Sequence, residues 1–101
     1  MTYRGDSPAA RLTDFCTGHG SCRPRMAIEG SGDVFINSLP AHREGDVWEV
    51  HCTHASVLAA GSPTVYVNSR QLGRIGDPVA CGSLVATGSR NVYVGGGVWQ
   101  L

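Results

Sequence analysis

The sequence predicts an all-β fold, a small ring of three β-hairpin units related by pseudo-threefold symmetry. Two observations carry this. Glycine is abundant, with 14 in 101 residues, and Gly, Ser, Pro and Asn recur every few positions without helical periodicity, which marks short strands joined by tight turns. The chain also repeats itself. GSGDVFINSLPAHREGD at 30–46 aligns without a gap to GSPTVYVNSRQLGRIGD at 61–77, a period of 31, and GSRNVYVGG at 88–96 opens a third copy.

The elements follow in order. SPAARLTD at 7–14 reads as an arm, with PAHREGD at 40–46 and QLGRIGD at 71–77 as its counterparts. Each copy has an apolar segment before Gly-Ser (26–28, 57–59, 84–86) and another after it (34–36, 65–67, 92–94), the latter alternating at strand period. The expected unit is a hairpin around Gly-Ser followed by an arm that ends in Asp46 or Asp77. The third hairpin has no arm after it, and the first arm has no hairpin before it. If the ends meet, they complete one split unit and close the ring. Closure removes exposed sheet edges, whereas a linear solenoid needs caps and more repeats. Residues 1–101 are expected to form a single domain with a thin core. Arg11, Arg43 and Arg74 stand three residues before Asp14, Asp46 and Asp77, so arginine–carboxylate pairs orienting the arms are expected.

Composition narrows function. Eight basic and eight acidic residues give a formal net charge of zero, which disfavours nucleic acid and anionic membrane as electrostatic partners. No apolar run approaches the ~20 residues of a membrane span. MTYRGDSPAA lacks the apolar stretch of a secretory signal, so a cytoplasmic location is expected before any assembly. Without such a signal, and with four histidines near the four cysteines, metal binding is the better reading of the cysteines than disulfides.

Three loops hold these groups: FCTGHGSCRPR at 15–25, VWEVHCTHAS at 47–56 and PVACGS at 78–83. His19 and His51 each stand five residues after an arm aspartate, and Cys81 stands four after Asp77. The symmetry places these three alike, converging on the axis, as a tetrahedral Zn²⁺ site requires. A fourth ligand comes from His42, which replaces the small Ala10 of the first arm, or from its competitor His54. Cys52 could displace Cys81, but it adjoins His51, and neighbouring residues rarely both ligate. Cys16 and Cys22 read as small packing residues, and Trp48 and Trp99 as packing rather than a binding platform.

SPAARLTD, PAHREGD, GSPTVYVN and RIGDPVACGS resemble the PAAR-repeat proteins over nearly the whole chain, although only the first arm keeps the name-giving motif intact. The resemblance implies a short cone of β-hairpins with a zinc ion near its apex, held by three histidines and one cysteine, here His19, His42, His51 and Cys81. It implies a place on the tip of a trimeric β-helical spike in type VI secretion systems or contractile phage tails. With no segment left over for a fused toxin, a stand-alone, non-enzymatic tip is expected, one copy per trimer (a valine-glycine-repeat spike or a phage central spike). It would touch a target membrane transiently and leave the cell on firing. The alternatives are a zinc hydrolase, with Glu44 or Glu49 as base beside an open zinc position, and a zinc-binding adaptor module. The adaptor reading lacks paired CxxC knuckles.

Overall fold

The computed structural model describes the backbone of residues 2–4, 6–96 and 98–100 and the side chains of 6–50 and 52–96. Among them there is no helix, and the strands are short: β1 (Thr2–Arg4), β2 (Ser7–Pro8), β3 (Phe35–Ile36), β4 (Leu39–Pro40), β5 (Val47–His51), β6 (His54–Val57), β7 (Tyr66–Val67), β8 (Arg70–Gln71), β9 (Tyr93–Val94) and β10 (Val98–Gln100).

The hairpins turn at a different place from the one expected. β3 pairs with β4 across Asn37-Ser38, and β7 with β8 across Asn68-Ser69. These loop residues have φ of 54° and 66°, and of 53° and 65°. Positive φ at both central positions is what a two-residue hairpin loop needs to match strand twist, and asparagine tolerates it best among non-glycine residues. The segments 26–28, 57–59 and 84–86 pair instead with the stretch after each arm aspartate, through Phe15↔Met26, Val47↔Val57 and Pro78↔Leu84.

Gly-Ser has a different task, the same in all three copies. The serine hydroxyl accepts the backbone N–H three residues on: Val34 on Ser31 at 2.9 Å, Val65 on Ser62 at 3.0 Å and Val92 on Ser89 at 2.9 Å. The glycine lets that turn lie against the backbone of an arm. A Cβ on Gly30 would sit 2.9 Å from the Ala41 oxygen, and one on Gly88 would sit 2.7 Å from the Ala9 oxygen. On Gly61 it would overlap the Leu72 carbonyl. Gly61→Ala is therefore expected to cost about 1–3 kcal/mol, the usual range for overpacking. Urea unfolding that shows no loss would refute the tight contact.

The two ends of the chain meet. β2 pairs with β9 in the register Pro8↔Tyr93 and Ser7↔Val94, matching Pro40↔Phe35 and Leu39↔Ile36 in β3–β4. β1 and β10 extend the pairing through Thr2↔Gln100, Tyr3↔Trp99 and Arg4↔Val98. The arms bridge one another in a cycle through Ala9↔Arg74, Arg11↔Ala41 and Arg43↔Leu72. Inside that cycle Ala10 N donates to Gly73 O (2.8 Å), Gly73 N to His42 O (2.9 Å) and His42 N to Ala10 O (3.1 Å).

Two apolar clusters fill the centre. Ala9, Ile36, Ala41, Val67, Leu72 and Val94 form the one beneath the hairpins. Ala10, Cys16, Ala27, Trp48, Leu58, Val79 and Val85 form the other, beneath the loops. Trp48 is fully buried, in keeping with its reading as a packing residue. The Trp99 side chain lies outside the described residues.

The expected ion pairs are present. The arginine Nε and the aspartate Oδ2 lie 2.9 Å apart in Arg11–Asp14 and Arg43–Asp46 and 3.0 Å apart in Arg74–Asp77. Burial works to raise the pKa of both Asp46 and Asp77. At Asp77 burial outweighs Arg74, and the carboxyl lies above its usual range. At Asp46 the hydrogen bonds and charge of Arg43, together with Arg70 at 2.8 Å, overcome burial and hold the carboxyl below it.

Candidate metal centre

Each loop is shaped by a local turn. His19 and Cys22 pair across a tight turn, with His19 N donating to Cys22 O at 3.0 Å and Cys22 N to His19 O at 2.8 Å. β5 and β6 turn at Cys52 and Thr53 between the paired His51 and His54, and Cys52 takes a φ of 53°. Cys81 sits in a turn closed by Gly82 N donating to Val79 O at 2.9 Å.

The loops are tied pairwise. Cys22 and Cys52 form a disulfide with Cα atoms 5.4 Å apart. Cys81 N donates to Ser56 Oγ at 3.0 Å. Gly18 N donates to Ser83 Oγ at 2.9 Å. The disulfide corrects two expectations. Not every cysteine is available to a metal, since Cys52 cannot displace Cys81 while bonded to Cys22. Nor is Cys22 simply a packing residue. Two cysteines 30 positions apart carry no sequence signal of pairing, because their proximity depends on how two turns meet. Cys16 is buried in the core, as expected of a small packing residue.

The other named residues are distributed as follows. The half-buried His19 stacks on the exposed His54, with ring centroids 5.6 Å apart and planes at 19°. His54 and the half-buried Cys81 line one open cleft with Val47, Ala55, Ser56, Val57 and Ala80. The backbone of His51 ends β5, and its side chain lies outside the described residues. Among the described residues, no group of three His, Cys, Asp or Glu side chains is gathered to hold an ion.

His42 lies below the loops, fully buried, its ring edge-on to Trp48 at 4.8 Å between centroids. Its Nδ1 is 2.7 Å from Glu29 O. A carbonyl only accepts, so Nδ1 carries the proton and, in the neutral ring, Nε2 keeps a lone pair. Among the described residues, that buried Nε2 has no hydrogen-bond partner. Burial pushes the His42 pKa down, against smaller upward effects of Glu29 O and Asp46, and so favours the neutral ring. A neutral imidazole fixed at one nitrogen by a carbonyl, with the other buried and unpaired, is how proteins hold a ring for a metal. This donor fits zinc.

The fold and its loops define a class, a small all-β repeat domain whose arms close a cycle and whose Cys/His-bearing loops are tied together at one end. A family model for the PAAR motif matches residues 17–87. The chain belongs to the PAAR-motif family. Similar proteins include the NAD(P)(+) glycohydrolase toxin Tse6 of Pseudomonas aeruginosa strain PAO1, 34% identical over 81 residues, a match covering 70% of this chain and 19% of that one. The (p)ppApp synthetase toxin Tas1 of Pseudomonas aeruginosa strain UCBPP-PA14 is also 34% identical over 81 residues, covering 70% of this chain and 18% of that one. The double-stranded DNA deaminase toxin A of Burkholderia cenocepacia is 33% identical over 73 residues, with 69% and 5% covered. The match thus spans less than a fifth of each relative.

Proposed function

We propose that this chain is a non-enzymatic spike tip. It forms a pseudo-threefold cone, one copy of which caps a trimeric β-helical spike of a type VI secretion system or contractile phage tail. It assembles in the cytoplasm, leaves the cell on the firing spike and meets the target membrane only transiently. The observation that carries this reading is the cycle of arms, with Phe35, Tyr66 and Tyr93 at equivalent places on its hairpins, each 55–57% exposed. A spike of three identical chains ends in three like surfaces, with unpaired strand edges and an open apolar core. One chain that repeats its own surface three times can cover all of them.

His19, His42, His51 and Cys81 are the proposed ligands of one structural zinc. When bound, the ion ties the three loops to the core residue His42, which suits a thin core that must bear load. A zinc hydrolase is less well supported. Of the bases it could use, Glu49 already accepts Met26 N at 3.0 Å.

The test is to purify the chain with its cognate spike and weigh the complex. One copy per trimer is expected. Three copies per trimer, or no complex with any threefold spike, would overturn the cap.

A further inference from the structure

The three loops are joined to one another at equivalent bridges, Ala27↔Trp48, Leu58↔Val79 and Cys16↔Val85. Two residues nearer the loop tips, the facing pairs are Arg25 with Val50, Ser56 with Cys81 and Ser83 with Gly18. At two of these junctions a buried serine hydroxyl accepts the facing backbone N–H: Cys81 N on Ser56 at 3.0 Å and Gly18 N on Ser83 at 2.9 Å. At the third, the place of the serine is taken by Arg25. A guanidinium only donates, and Arg25 Nε donates to Val50 O at 2.9 Å. The Cys22–Cys52 disulfide crosses this same junction, with Cα atoms 5.4 Å apart. The stack of His19 on His54 crosses it too, and rides on the two turns that the bond joins. The disulfide thus stands at the one loop junction of the three that carries no serine. Cys52 is exposed and Cys22 half-buried, so a thiol from solvent reaches the bond at Cys52.

We propose that Cys22–Cys52 is a redox clasp on this junction, open in a reducing compartment and closed in an oxidising one. Exposed disulfides are the labile kind, and the glutathione of the cytosol keeps thiols reduced. The tip is then assembled with the junction unclasped and is clasped after it leaves, a sequence that rests on the preceding reading for the journey out of the cell. The chemistry balances. A glutathione thiolate attacks the Cys52 sulfur, the bond to Cys22 breaks, and Cys22 leaves as a thiolate that takes a proton. A second glutathione attacks the mixed disulfide and releases Cys52, which is protonated likewise. Two electrons and two protons have passed to the chain, and two glutathiones have become one glutathione disulfide. Closing is the reverse, with glutathione disulfide or a protein disulfide as oxidant.

The test uses the full chain as purified, equilibrated in glutathione buffers poised as in the cytosol or as in an oxidising compartment, with free thiols counted after acid quenching. The bond is expected to be open in the first buffer and closed in the second. Amide hydrogen exchange then reads the junctions. Glu49 N donates to Met26 O at 2.9 Å across the clasped junction. Opening the bond should speed its exchange roughly tenfold or more, and leave Cys81 N and Gly18 N at the serine junctions as they were. Cys22→Ser/Cys52→Ser should exchange like the open chain in both buffers. Arg25→Ser puts a hydroxyl at the third junction, and its response to reduction should be smaller. A bond that stays closed at the cytosolic poise would overturn the clasp. So would exchange at Glu49 N that ignores the bond, equal acceleration at all three junctions, or an undiminished response in Arg25→Ser. Neither readout involves the spike, so a failed cap and a failed clasp are told apart.

Discussion

Chelation is expected to unfold this protein or bring it close to unfolding. On the proposed site, zinc joins three loops and His42 over a core of small residues. Structural zinc in small domains carries an apparent ~10–16 kcal/mol of binding free energy at neutral pH. A whole domain has only about 5–15 kcal/mol of stability. The Cys22–Cys52 staple spans 30 residues and contributes about 3–4 kcal/mol on the chain-entropy account, so chelator and reductant together should act more strongly than either alone. Acid should act in the same direction. An unfolded histidine takes a proton near pH 6.5, whereas burial lowers the pKa of His42 in the fold. The folded state then binds fewer protons, so this stability is complete above about pH 6.5 and declines as the pH falls below it. Thermal melts with and without chelator, and with one equivalent of zinc restored, are the measurement. A midpoint unmoved by chelator and flat from neutral pH to about pH 4, in protein that holds no stoichiometric metal, would refute the site.

Asp46→Ala is expected to be more damaging than Asp14→Ala, at about 3–5 kcal/mol. Its carboxylate is fully buried and accepts four hydrogen bonds: Arg43 N at 2.8 Å, Arg43 Nε at 2.9 Å, Arg43 Nη2 at 3.0 Å and Arg70 Nη2 at 2.8 Å. Removing it leaves the guanidinium of Arg43, whose side chain is only 11% exposed, without its carboxylate. Asp14→Ala should cost less, because the Arg11 side chain is more open to water, whereas Asp46 also holds a second guanidinium, that of Arg70 at 2.8 Å. The variants are compared by urea unfolding at neutral pH. A loss at Asp46 below about 1 kcal/mol, the scale of a surface pair, or equal to that at Asp14, would show that the arms are not held this way.

Much of the local architecture was legible in the sequence because it repeats. Arg–Asp pairs at one spacing, Gly-Ser at one offset from each strand and an incomplete unit at each end are chain-local signals. They correspond to the ion pairs, to the serine turns and to the pairing of β2 with β9. The hairpins turn at Asn-Ser, which two copies carry, and not at the Gly-Ser that the sequence favours. Gly-Ser is the commoner turn signal, and only the packing shows that its glycine is there for a backbone contact with an arm. The Cys22–Cys52 pair and the stacking of His19 on His54 had no linear signature, since each depends on how two separate turns lean together. The inner core was also decided in three dimensions. Ala10, His42 and Gly73 hold equivalent places, as do Cys16, Trp48 and Val79. Close packing where the three arms meet admits one large side chain in such a set and not three. His42 and Trp48 therefore fill the centre from the second arm and its loop, and the other two units yield the space with alanine, glycine, cysteine and valine.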